Sequence, residues 1–193
     1  MNQPLELRRI PVEGGASRLV MRERGFDIDC SHGRTDICVI GRIRDKTLTF
    51  YRFDHTKGEG AEAGRMAFDT RLYPSFAVSP DGSKIAVLNP AGIGNRIRLI
   101  PLEGGSTSEL EVPGRRQLTD LCWAPDGKGW FVSSVTPANG EYLLHVGLRG
   151  ESQVLYEQPQ DGRDTWGDPS PDGKHLAFLR WTAERNVWMI DDF

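Results

Sequence analysis

YPSFAVSPDGSKIAVL, residues 73–88, decides the fold of this chain. Phe76-Ala-Val78 and Ile85-Ala-Val-Leu88 are apolar and rich in β-branched residues, and Ser79-Pro80-Asp81-Gly82 stands between them. Pro80 presets φ for entry to a turn, Asp81 can bond the backbone ahead of it, and Gly82 tolerates positive φ. The stretch is a β-hairpin. It recurs as Ala124-Pro125-Asp126-Gly127 and as Ser170-Pro171-Asp172-Gly173, at steps of 45 and 46 residues between prolines. A repeat of that length, holding several short strands, predicts the blades of a β-propeller.

A second repeat supports the first. Ile10, Pro11, Glu13, Gly14 and Gly15 match Ile100, Pro101, Glu103, Gly104 and Gly105, 90 residues on. Both sets sit where a third and a fourth strand of a repeat would meet. The units therefore fall at 1–24 (half a repeat), 25–72, 73–115, 116–158 and 159–193 (incomplete), within one domain spanning 1–193. The expected fold is all-β: four-stranded antiparallel blades, three complete and two partial. Such an array is a small ring closed by its two partial units, an open arc, or half of a two-chain ring. An open arc leaves blade faces uncovered, so it implies self-association.

Within the units, 25–72 is the most diverged. Gly25–Cys30 and Thr35–Ile40 are expected to form a hairpin around Ser31-His32-Gly33-Arg34. Lys46–Phe53 alternates as a third strand, Lys57–Gly64 reads as a solvated loop, and Arg65–Leu72 as the fourth strand. The last unit predicts a hairpin beginning near Trp166 and a third strand at Asn186–Ile190.

At 193 residues the chain is long enough for one domain with a core, and its 22 Gly and 12 Pro suit short strands joined by tight turns. A net charge of −3 gives no general attraction to nucleic acid, and the scattered arginines form no basic stripe. No apolar run is long enough to span a bilayer, and residues 1–15 lack the pattern of a signal peptide. Cys30, Cys38 and Cys122 lack CxxC spacing and are expected as buried strand thiols.

Chemistry is sparse. His32, His55, His145 and His175 show no metal-ligand spacing, and the recurring Asp81, Asp126 and Asp172 lack calcium-loop spacing and are accounted for by their turns. No G-x-S-x-G elbow is present, and the Gly92/Gly94 pair lacks the context of a phosphate loop. The sequence thus offers no catalytic, metal or cofactor site, and no cofactor is expected. Among the tryptophans, Trp123, Trp130 and Trp188 are expected in the core, whereas Trp166 and Trp181 are the first exposed candidates. The loops at 89–95 and 136–141 are plausible contacts by position alone.

The Ser/Ala-Pro-Asp-Gly hairpins resemble the WD40-like PD40 repeats of TolB-type β-propellers, well over residues 73–193 and more loosely over 1–72. The closing segment, WGDPSPDGKHLAFLRWTAERNVWMIDDF, is similar to propellers at the C-terminal end of bacterial Ser/Thr kinases and winged-helix regulators. That resemblance implies a non-catalytic protein-interaction or ligand-sensing module, the C-terminal part of a larger bacterial signalling protein. The alternative it carries is an accessory propeller of a peptidase or kinase whose catalytic domain lies outside this chain. It leaves the partner, protein or small molecule, open. It also implies a periplasmic position if a membrane anchor precedes the propeller; as it stands, the chain reads as cytoplasmic.

Overall fold

The computed structural model describes residues 4–32, 36–68, 74–88, 94–158 and 162–182. All regular structure there is β. A two-stranded sheet, β1 (Leu5–Arg9) and β2 (Arg18–Glu23), comes first. Three antiparallel four-stranded blades follow: β3 (Phe26–Cys30) to β6 (Gly58–Ala67), β7 (Phe76–Val78) to β10 (Ser108–Glu111), and β11 (Leu118–Trp123) to β14 (Ser152–Gln158). Their middle strands are β4 (Cys38–Arg44) and β5 (Thr47–Asp54), β8 (Lys84–Leu88) and β9 (Arg96–Pro101), and β12 (Gly129–Val135) and β13 (Glu141–Gly147). A hairpin of β15 (Gly162–Pro169) and β16 (Leu176–Thr182) ends the described chain. Strands pair in chain order within every sheet, as in propeller blades.

The Pro-Asp-Gly turns fold alike. Gly82, Gly127 and Gly173 sit at φ 68°, 69° and 68°, the left-handed region where a Cβ is costly. Their amides donate back to Ser79, Ala124 and Ser170 at 2.8, 2.9 and 2.8 Å. Asp81 Oδ1 accepts from the Ser79 hydroxyl (2.6 Å) and the Ser83 amide (3.0 Å), and these bonds hold its carboxyl down at about 2. Asp126 and Asp172 cap the amides of Lys128 and Lys174 in the same way. The Glu-Gly-Gly turns also match, with Gly14 and Gly104 at 91° and 85°, and Gly15 and Gly105 at 120° and 119°. β1–β2 thus corresponds to the outer half of a blade and β15–β16 to an inner half.

Two cores form where blades face each other. Val39, Leu48, Phe50 and Met66 of the first full blade pack with Phe76, Val78, Ile85 and Ile100 of the second. Ala86, Leu88 and Ile97 of the second pack with Leu118, Leu121, Trp130, Val132 and Leu144 of the third. Burying one such side chain stabilises the fold by about 1.5–3 kcal/mol. Gly41 lets the Phe76 ring come close: a Cβ there would stand 2.7 Å from it. Phe76 in turn meets Phe50 edge-on, with centroids 5.1 Å apart. The innermost strands β3, β7, β11 and β15 lie side by side in that order.

Several expectations change. Lys57–Gly64 is not a loop: residues 58–67 form β6, a long outer strand paired to β5 with register shifts. Its Gly and Glu content hides it, because an outer strand needs only one partner and little side-chain burial. Cys30 and Cys38 are not free thiols. They are directly opposite each other on β3 and β4 and form a disulfide. Cys122 is the free thiol. Trp123 and Trp130 are buried and Trp166 is exposed, as expected. Trp188, the strand at Asn186–Ile190, the side chain of Trp181 and residues 89–93 of the first candidate loop lie outside the described residues.

Exposed apolar side chains gather on both partial units, with Leu5, Ile10, Val12 and Leu19 on the first and Phe178 and Leu179 on the last.

Trp123 and Trp130 stack with centroids 4.6 Å apart, yet their N–H groups differ. Trp123 Nε1 donates to Ala77 O of the neighbouring blade at 3.0 Å, whereas Trp130 Nε1 is buried without a partner. Trp123→Phe is therefore expected to cost about 1–2 kcal/mol more than Trp130→Phe. Denaturant midpoints of the two variants check this, and equal losses contradict it.

Candidate functional site

The hairpin turns supply a register for comparing inner strands. Ser31 N bonds Ile37 O at 2.8 Å, and Ser79, Ala124 and Ser170 make the same closing bond to Lys84, Gly129 and His175 at 2.9, 2.9 and 2.8 Å. Four residues before these positions stand Asp27, Ser75, Asp120 and Trp166; two residues before stand Asp29, Ala77, Cys122 and Asp168. Side chains two apart share a strand face. The four inner strands thus present one shared face, and four of its eight positions carry carboxylates.

Hydrogen bonds tie two of these carboxylates, Asp29 and Asp120, to a neighbouring blade, and other bonds cross between sheets beside them. Ser75 Oγ donates to Asp120 Oδ1 at 2.8 Å and accepts from the Leu121 amide at 3.2 Å. Asp29 Oδ2 accepts from the Val78 amide at 2.6 Å. The Cys122 thiol donates to Gly167 O at 2.8 Å, the Ser133 hydroxyl donates to Thr165 O, and the Thr165 amide donates to Glu141 Oε2 at 2.5 Å. Each contact crosses from one sheet to the next, so the acidic face also joins the blades.

Burial dominates the electrostatics. It pushes the carboxyls of Asp27, Asp29 and Asp120 above the ordinary range. The Asp27 charge adds to the rise at both Asp29 and Asp120, and Glu141 adds to it at Asp120; the bonds from Val78 and Ser75 oppose it. Burial, then the charges of Asp120 and Asp168, push the Cys122 thiol up to about 12, which makes it a poor nucleophile at neutral pH. His32 Nε2 lies 3.9 Å from Asp29 Oδ1.

A cavity of about 340 Å³ opens among the inner strands. Its described lining includes Asp27, Ser75, Phe76, Thr119, Asp120, Thr165 and Trp166. Of these lining residues, Thr119 and Thr165 have Oγ1 atoms that are buried without a hydrogen-bond partner. Trp166, 45% exposed, stands in the same cavity. A cavity of about 230 Å³ at the turn end includes Asp81 and Asp126, whose carboxylates are occupied by their own turns. Another, of about 370 Å³, is lined by Arg9, Pro11, Ala16 and Arg18 on the exposed first hairpin.

Trp166 was singled out by sequence, and the structure places it in the inner cavity. Asp27, Asp120, Thr119 and Thr165 were not singled out. The signal for the two aspartates was positional: Asp27 and Asp120 both stand four residues before the turn-closing residue. His55 and His175 are exposed, and His145 packs edge-on against Phe131 within its blade. Among the described residues, no group of three or more His, Cys, Asp or Glu is placed to hold a metal ion. Residues 136–140 form the turn before β13, closed by the Gly140 amide on Thr136 Oγ1 at 2.8 Å.

No protein-family model matches the chain, and no curated protein does. Solved structures do. TolB from Acinetobacter baumannii superposes with a TM-score of 0.69 at 17% identity, over 94% of this chain and 44% of that one. Hydrazine synthase of Kuenenia stuttgartiensis gives 0.62 at 13% identity, over 96% of this chain and 52% of that one. A chain of a nidogen–laminin complex gives 0.58 at 14%, over 81% and 60%. The chain thus spans about half the length of the structures it matches.

The raised carboxyl of Asp120 has a consequence for stability. Its folded pKa lies above the ordinary 3.8, so its contribution is full below that value and is lost as pH rises through the folded pKa. Asp120→Asn keeps an acceptor for Ser75 and removes the charge. The variant's melting temperature relative to wild type is expected to rise from about pH 4 to about pH 7. Melting curves across that range check it, and a constant offset contradicts it. The architecture and the likeness to TolB together make this chain an all-β propeller-type array of TolB-like fold.

Proposed function

We propose that the chain is a non-catalytic interaction or ligand-sensing propeller module that recognises its ligand at the cavity among β3, β7, β11 and β15. One observation carries this reading. Two aspartates whose carboxyls are raised by burial, two threonines whose buried hydroxyls have no partner and a half-exposed tryptophan line a single cavity. Buried polar groups are normally satisfied, and pockets with a few convergent polar groups and perturbed carboxyls are the usual places for ligands.

The non-catalytic part rests on how the reactive groups are used. The Ser75 hydroxyl is engaged on both sides, donating to Asp120 and accepting from Leu121. Cys122 is held protonated. Membership of the PD40 repeats, and a place at the C-terminal end of a larger bacterial signalling protein, belong to the same proposal and rest on the three hairpins and the closing segment. The Cys30–Cys38 disulfide favours an extracytoplasmic position, since such bonds persist in oxidising compartments. Self-association through the apolar faces of the two partial units fits the exposure of Val12 and Phe178. The alternative is an accessory propeller serving a peptidase or kinase domain outside this chain.

The test is a fragment screen with anionic, neutral and cationic compounds, read by tryptophan fluorescence on wild type and Trp166→Phe. Binders are expected to change the emission of wild type only, with no turnover of peptide or phosphoester substrates. Binders whose signal survives in Trp166→Phe contradict the assigned site, and turnover contradicts the non-catalytic reading.

A further inference from the structure

We propose that this inner cavity binds a primary alkylammonium group, such as a lysine side chain or a small amine. The inference rests on the reading of the cavity as the recognition site and names the chemistry of its ligand. Charge sets the sign. Asp27 and Asp120 both line the cavity, and the charge of Asp27 already disfavours ionisation of Asp120. The cavity's described lining carries no Lys, Arg or His. A cation between the two carboxylates relieves their repulsion, whereas an anion adds to it.

The hydroxyls narrow the class. Thr165 is 1% exposed, and its Oγ1 has no partner; Thr119 Oγ1 is buried without one as well. Thr119 and Thr165 both line the cavity that Asp27 and Asp120 line, so a guest entering it meets two carboxylates and two residues with hydroxyls to satisfy. A primary ammonium brings three N–H donors and no acceptor, which matches that demand. A quaternary ammonium has no N–H and leaves both hydroxyls unsatisfied. A divalent cation takes six or more oxygen ligands, and no metal-holding cluster occurs among the described residues. Trp166 and Phe76 supply the apolar wall for the alkyl stem, and the indole face attracts a cation.

The probe is Nα-acetyl-lysine N-methylamide, with the norleucine analogue as its uncharged match, choline as the quaternary match, and calcium chloride. Binding is read by Trp166 fluorescence and calorimetry on the full chain. The lysine probe is expected to bind saturably, at least about tenfold more tightly than the other three, and to weaken as salt is added. Asp27→Asn and Thr165→Val are each expected to weaken it by about tenfold. Asp27 is the safer carboxylate to change, because its hydrogen bond is to the adjacent Ile28 amide. Thr165→Val removes a hydroxyl that bonds nothing, so its melting temperature is expected to be unchanged or higher without ligand.

Equal binding of norleucine, choline or calcium overturns the inference, and so does full binding by folded Asp27→Asn. If neutral or anionic compounds reach Trp166 while the lysine probe does not, the recognition site stands and the ammonium assignment fails. If no compound of any charge perturbs Trp166, both fail.

Discussion

A four-stranded sheet of short strands cannot bury its own apolar faces, and this constraint governs the whole chain. Each blade must lay its face on the next one. Phe50 and Leu48 reach toward Phe76 and Ile85, and Ile97 and Leu88 reach toward Trp130 and Leu144. Stacking sheets face to face brings their first strands together, so β3, β7, β11 and β15 become neighbours although about 45 residues separate each from the next. The approach is close enough that Gly41 has no room for a side chain beside Phe76.

Convergence of the inner strands creates the acidic face. Carboxylates there lose water, which raises Asp27, Asp29 and Asp120, and the fold offsets part of that cost with bonds across the blades. The Val78 amide serves Asp29, and the Ser75 hydroxyl serves Asp120 while accepting from Leu121. Asp120 therefore both joins neighbouring sheets and, with Asp27, sets the charge of the cavity. Thr119 and Thr165 stand out because nothing offsets the burial of their hydroxyls. A site that keeps polar groups unsatisfied sacrifices stability, as binding sites commonly do.

Much of the architecture was legible because the turns are specified locally. Proline, aspartate and glycine each have a separate physical reason to stand in the Ser-Pro-Asp-Gly corner, and the three copies fold with matching glycine φ values. The half-blade at 5–23 was legible for the same reason, through its Glu-Gly-Gly turn. β6 was not, because GEGAEAGR has neither alternation nor β-branched residues and is held by pairing to β5. The disulfide depended on register: Cys30 and Cys38 face each other only because the first hairpin's loop is one residue longer than the others, so its spacing resembles no familiar pattern. The cavity was hidden for a related reason. Asp27, Ser75, Asp120 and Trp166 differ chemically, and only the turn-closing bonds bring them to one level.

The measurement that bears most directly on this account is a carboxyl-carbon NMR titration of the aspartates. Blade stacking that buries one face of the inner strands requires Asp27, Asp29 and Asp120 to titrate above the ordinary aspartate value of 3.8, while Asp54 and Asp81 titrate near 2 in their exposed turns. Ordinary or depressed values at all three inner positions would contradict it, for the inner strands would then be open to water and no shared acidic cavity would exist.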